Sequence, residues 1–216
     1  MSKNICSVCN VEVEEEYFDR EQTKCILHCD KTKYHKEENG KQKCQENVLN
    51  LFEKAFENHS ENYSNKISLK DVHFPANSLL KLMYKLNKTD ISIIRCKFYG
   101  DEELILNKKD IESIYFYKNT TKYNFKFSEM QTKNLVIQAC DFARLEISGS
   151  KINRFTISNY FLEIEKEKQI NIEEIFINRT EIDNCNIAKI ELNNFYIKKS
   201  RISKMFFSEL IGDNLI

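Results

Sequence analysis

At 216 residues, with 33 basic and 33 acidic side chains and zero formal net charge, the chain can bury a substantial core and lacks the charge excess of a generic nucleic-acid or membrane-surface protein. Four glycines leave little for phosphate-cradling loops, and neither a P-loop nor a dinucleotide fingerprint occurs. No run approaches the roughly 20 apolar residues that span a bilayer, and the polar opening residues lead into no secretory core, so a cytoplasmic protein with reduced thiols is expected.

The first element is a metal motif. Cys6 and Cys9 have two residues between them, fifteen residues follow, and then come Cys25, His28 and Cys29. Two chelating pairs joined by a short loop are what tetrahedral zinc requires: the first pair grips the ion and the second closes the coordination sphere. Cys6, Cys9, Cys25 and His28 are the expected ligands, with Cys29 and His35 as alternates. A closed four-ligand site leaves no place for substrate, and no His-Glu-x-x-His motif supplies a general base, so the zinc would be structural. The competing reading is a flexible segment with unmetallated thiols.

Residues 36–43 read as a polar linker. Val48, Leu51, Phe52, Ala55 and Phe56 then fall at helical spacing, which predicts a helix over about 44–58 whose apolar stripe covers the first turn of whatever follows. A partner-binding role for that stripe is the alternative. Residues 60–66 read as a loop. Val72 and Phe74 begin the repetitive region, a polar cap before Leu79, Leu82, Met83 and Leu86 predicts a short helix, and strand signals resume at Ile91, Ile93, Cys96, Phe98, Leu104 and Leu106. Between 115 and 127, Tyr115, Phe116, Tyr117, Tyr123, Phe125 and Phe127 alternate with Lys118, Lys122 and Lys126. Such interleaving can stack bases and hold phosphates of a single strand, but its commoner use is a strand whose aromatics fill the core on one face while lysines keep the other soluble.

From Leu135 a five-residue phase sets in: Ile137, Phe142, Ile147, Ile152, Ile157 and Leu162, then Ile172, Ile177, Ile182, Ile187, Leu192, Ile197, Ile202 and Phe207. A companion series lies two residues before each, running Ile170, Ile175, Thr180, Cys185, Ile190, Phe195, Ser200 and Met205 in the second block. Steps of two and three cannot share one face of a helix, where five residues advance the side chain by about 140°. On a straight strand the three-residue step flips the next pair outward. The flip disappears if the backbone bends every five residues, which sends both series into one interior and lets successive turns pair their backbones: a β-solenoid. The charged segment 163–169 interrupts the phase without shifting it, as a bulged corner or protrusion would.

The segments Cys140-Asp141-Phe142, Ser150-Lys151-Ile152, Cys185-Asn186-Ile187 and Ser200-Arg201-Ile202 resemble degenerate pentapeptide repeats. The resemblance implies a right-handed quadrilateral parallel β-helix with about twenty residues per coil, over roughly the second half of the chain. The central residue is mostly Ile rather than Leu, and bulky companions such as Ile175, Ile190 and Phe195 require a wider or locally bent coil. The cysteine and histidine pattern is also similar to knuckles that precede such repeats in some bacterial proteins. The expected organisation is a mainly β protein with a zinc-knuckle module at 1–36, a linker and capping helix at 37–70, and a solenoid at 71–216.

All four histidines, at 28, 35, 59 and 73, precede the regular repeat, and no pair among Asp141, Asp183 and Glu191 is singled out by spacing, so catalysis is not expected. A non-catalytic protein-interaction or scaffold module fits, its partner being unnamed by the sequence. Some pentapeptide-repeat proteins mimic DNA and bind topoisomerases, but residues between the inward positions mix Glu173, Glu174, Glu181 and Asp183 with Arg179, Lys189, Lys198, Lys199 and Arg201. A homodimer through the C-terminal coil would cover an exposed apolar edge.

Overall fold

A computed structural model describes residues 3–38, 41–62, 64–75, 90–99, 104–106, 111–119, 124–140, 142–159, 171–211 and 214–215. The chain begins with strands β1 (Phe18–Asp19), β2 (Lys24–Cys25), β3 (His35–Glu38) and β4 (Lys41–Cys44), followed by helix α1 (Glu46–Glu61). Strands β5 (Lys66–Lys70), β6 (His73–Phe74), β7 (Asp90–Ile94), β8 (Lys97–Phe98), β9 (Leu104–Leu106) and β10 (Ile111–Tyr117) come next. The regular region holds β11 (Phe125–Ser128), β12 (Gln131–Gln138), β13 (Phe142–Ser148), β14 (Lys151–Ser158), β15 (Asn171–Asn178), β16 (Glu181–Ala188), β17 (Glu191–Lys198), β18 (Arg201–Ser208) and β19 (Asn214–Leu215).

Alternate strands stack into two parallel sheets, one ordered β18-β16-β14-β12-β10-β7-β5 and the other β19-β17-β15-β13-β11-β9. This is a parallel β-solenoid. Its inward residues form continuous ladders: Ile67, Ile91, Ile114, Leu135, Phe155, Cys185 and Met205 are successive partners in the larger sheet, as are Leu69, Ile93, Phe116, Ile137, Ile157, Ile187 and Phe207. Every rung before the last coil is buried, and each such aliphatic or aromatic side chain stabilises the fold by about 1.5–3 kcal/mol.

The expected bend occurs, and in two forms. Within a strand the pairing passes from Thr132 and Ile152 to Asn134 and Arg154, and this break between the three-step and the two-step is repeated in register on the neighbouring coils. Between strands the chain turns through a left-handed residue: φ is 51° at Lys118, 53° at Glu129 and at Ala139, 50° at Arg179, 54° at Lys189 and 51° at Lys199. Only at Gly149 (φ 59°) does a glycine take this role among the described corners of the coil. The bulky companions Leu135, Leu145, Phe155, Ile175 and Phe195 lie at the mid-strand bend. The position after the left-handed corner is small or polar at Cys140, Ser150, Thr180 and Ser200. Those hydroxyls join the coils: the amide of Met130 donates to Ser150 Oγ (3.1 Å), that of Ser150 to Thr180 Oγ1 (3.3 Å), and that of Thr180 to Ser200 Oγ (3.1 Å). Each hydroxyl donates in turn to the carbonyl two residues behind it, so buried corner groups are satisfied.

The spacing between partners tightens along the chain, from 24 residues (Ile67 to Ile91) to 23, 21 and then 20 (Leu135 to Phe155). Phe142 then pairs with Ile172 and Ile152 with Ile182, thirty residues on. The five-residue phase thus survives because ten additional residues, a multiple of five, separate the partners. Leu162, Ile170 and the charged segment 163–169 lie outside the described residues, as do Tyr123, Lys122 and the helix expected over 78–86.

Two sequence expectations change and a third is met. Within the linker expected at 36–43, β3 and β4 pair antiparallel, with His35 opposite Cys44. Their polar residues read as a linker because the pair has no apolar face to advertise. Lys66–Lys70, assigned to a loop and linker, is the first rung of the larger sheet, so that sheet begins ahead of residue 71. The aromatics described between 115 and 127 fill the core, the reading that their alternation with lysines favoured: Phe116, Phe125 and Phe127 are buried and meet edge to face at 5.2 and 5.9 Å, while Tyr115 is half-buried with its hydroxyl on Gln138 (2.9 Å). These phenylalanine rings offer no platform for a base.

Helix α1 lies where its apolar stripe requires. Val48, Phe52 and Phe56 are its buried apolar residues, and Phe52 and Phe56 reach Phe74 at 5.8 and 5.9 Å between ring centres; Phe74 stacks on Phe98 of the next coil at 5.3 Å. No helix among the described residues is long and apolar enough to cross a membrane.

Candidate metal centre

Two short hairpins build the site. In the first, Ile5 bridges Glu12, the Cys6 amide donates to the Val11 carbonyl (3.0 Å), and Asn10 takes a left-handed φ of 56° to close the turn. The second runs from β1 into β2, where the amides of His28 and Cys29 fold back onto the Cys25 carbonyl at 2.9 and 3.0 Å. The Ser7 amide donates to the Thr23 carbonyl (2.9 Å), clamping the hairpins together.

This arrangement gathers Cys6, Cys9, Cys25 and His28, whose ligand atoms all lie within 4.8 Å of one another. His28 Nδ1 is 3.0 Å from Cys25 Sγ and 3.7 Å from Cys6 Sγ. Ligands at zinc distances of about 2.0–2.3 Å on a tetrahedron are about 3.5–3.8 Å apart, so small adjustments admit an ion. The donor chemistry also fits. Burial pushes the Cys6 thiol up, but the main-chain amides of Cys25, Cys9 and Val8 outweigh it, and the net shift is downward. Cys25 is pushed far up by burial and then by the sulfurs of Cys6 and Cys9. Three sulfurs gathered like this repel as thiolates unless a cation sits among them. Burial keeps His28 below the usual histidine range, so its imidazole is neutral and able to ligate, while a hydrogen bond to the Lys70 backbone ties the ring to the end of β5.

The alternates are occupied elsewhere. Cys29 Sγ lies 3.2 Å from Lys31 Nζ, and His35 places Nδ1 2.7 Å from the Lys31 carbonyl while stacking on Tyr99 (5.6 Å).

Two features escaped the sequence. Lys31 is fully buried, its ammonium donating to the carbonyls of Ile26 (2.6 Å) and Cys29 (2.7 Å) and lying 5.4 Å from the Phe52 ring centre. It thus fastens the ligand-bearing turn to α1. A lysine between Asp30 and Thr32 gives no sign of burial. The second is a junction network: the Tyr99 hydroxyl donates to Asp30 (2.8 Å) and lies 3.0 Å from His73 Nδ1, and the His73 amide donates to the Leu27 carbonyl (2.8 Å). Asp30 falls to about 2, burial being outweighed by hydrogen bonds from Thr32 and Tyr99; His73 falls to about 4, through burial first and then the Lys31 and Lys97 charges. These partners are 26 and 69 residues apart in sequence, which no local pattern reveals.

Compared with known proteins, the chain matches no family model, no curated protein and no solved structure. Fold and site together define a class: a parallel β-solenoid with an N-terminal Cys3His cluster able to hold a metal ion.

Proposed function

We propose that the protein is a non-catalytic, cytoplasmic interaction scaffold: a degenerate pentapeptide-repeat solenoid capped by a structural zinc knuckle. The observation that carries this reading is the use of the repeat. Its regular residues fill the interior, leaving the faces between them to vary without disturbing the core. The donor set supports a structural ion, since three sulfurs and an imidazole complete a tetrahedron with no place for substrate. If zinc binds, it supplies folding free energy to a module with few apolar residues, and Cys6, Cys9, Cys25 and His28 hold it.

The outward charges support a protein partner over a DNA-like surface. Across the ladders Lys126 pairs with Glu146 (3.0 Å), Arg144 with Glu174 (3.2 Å) and Lys151 with Glu181 (3.9 Å), which leaves a mixed face rather than a strongly negative one. Affinity capture from the native host is the test. A protein recovered at fixed stoichiometry, and lost when Arg144 and Lys151 are both reversed to Glu with metal content unchanged, supports the scaffold. Turnover of generic ester, phosphate or peptide substrates by the purified protein overturns it.

A further inference from the structure

All eight large apolar residues that are exposed among the described ones fall in two places. Ile5, Val8 and Val11 stand on the metal hairpin, and Tyr196, Ile197, Phe206, Phe207 and Ile211 stand on the last coil. Ile197 and Phe207 line a largely apolar recess of about 370 Å³ with Phe195, Met205, Leu210, Ser208 and Glu209, while Tyr196 and Phe206 stand on the outer faces of strands from the two different sheets. Phe206 points outward and is 58% exposed, more than an edge left by the repeat alone would require.

The charges around the two patches are opposite. Residues 3–21 carry six carboxylates against two cations, and Glu12, Glu14, Glu15 and Glu16 are exposed. Residues 196–211 carry four cations, Lys198, Lys199, Arg201 and Lys204, against the single carboxylate of Glu209, which faces Lys189 at 3.8 Å. A two-fold contact between last coils would set these cations against their own copies. A hairpin of one copy on the last coil of the next brings acid to base and aliphatic side chains to the recess.

We infer that the protein associates with itself head to tail, the metal hairpin of one molecule docking on the last coil of another. The inference rests on the proposed metal-held module, because only the folded hairpin presents Ile5, Val8 and Val11 together. The contact is heterologous, so it propagates into chains or rings rather than stopping at a dimer.

Two variants test it, Val11→Lys at the head and Phe206→Glu at the tail, each checked for unchanged circular dichroism and metal content. In analytical ultracentrifugation the wild type should grow in mass with concentration, and less so at high salt. Each variant alone should associate about tenfold more weakly or less. An equimolar mixture should form a 1:1 dimer and nothing larger, since each variant keeps the surface that the other lacks. Dimers of Val11→Lys alone would show a two-fold tail contact, and a wild type that stays monomeric at high concentration would remove self-association; either overturns the inference. A wild type that associates without any bound metal would instead contradict the metal-held module and leave the head-to-tail test readable from the mixture.

Discussion

The N-terminal module and the coil bury different things. The module buries Cys6, Cys25, Cys29, His28 and an ammonium at Lys31, whereas the regular coil buries ladders of Ile, Leu and Phe with hydroxyls at its corners. The same residue type shows the contrast. Burial pushes the coil thiols Cys96 and Cys185 up to about 12, while main-chain amides bring the Cys6 thiol down. One region therefore rests on polar contacts around a cluster able to hold an ion, and the other on area removed from water. Perturbing either should leave a distinct signature.

The largest effect should come from metal removal. Chelation, or Cys25→Ser, should unfold the module, because structural zinc supplies on the order of 10 kcal/mol of folding free energy to such sites. Limited proteolysis should then cut within residues 3–38 while the far-ultraviolet signal of the coil persists. After chelation of the wild type, iodoacetamide should modify Cys6, Cys9 and Cys25 and spare Cys96 and Cys185.

Phe155→Ala probes the other region. Its fully buried ring sits between Leu135 and Cys185, so its loss should cost about 3–5 kcal/mol in denaturant unfolding of the coil, with metal content unchanged. Lys31→Met tests the fastening between module and helix. It strands the carbonyls of Ile26 and Cys29, each at about 1–3 kcal/mol, and should raise hydrogen exchange in α1.

The junction should respond to pH through His73. Its folded value of about 4 lies below the unfolded value of about 6.5, so the stability it contributes is complete above pH 6.5 and is lost as pH falls toward 4. His73→Phe should flatten that part of the stability profile relative to wild type. The smallest effect belongs to the corners. Arg179→Gly, at φ 50°, relieves left-handed strain against a loss of chain entropy and should raise the unfolding free energy by about 0.5–1 kcal/mol.

The coil was legible because its signal is repeated: Ile172, Ile177, Ile182 and their successors report the same bend many times. The Cys3His cluster was legible for another reason, since Cys6, Cys9, Cys25 and His28 come as two pairs joined by a short loop, the spacing that a tetrahedral ion requires. What the sequence hid was the alternation of corners. Left-handed turns at Lys118, Glu129, Arg179 and Lys199 carry no glycine to mark them, and only Thr180 and Ser200 after two of them, with Ser150 after Gly149, hint at a ten-residue unit. The irregular early coils were blurred by spacings of 24 and 23 residues. The Asp30, Tyr99 and His73 junction was hidden because it exists only once the module meets the coil.

The central claim is that an ion holds the cap on this solenoid. Native mass spectrometry of the full chain, before and after chelation, tests it most directly. The expected result is one zinc per chain, released by chelator and absent from a variant with Cys6, Cys9, Cys25 and His28 all replaced. A chain purified under reducing conditions without metal whose residues 3–38 remain protease-resistant, or a replaced variant that still binds zinc, would contradict it.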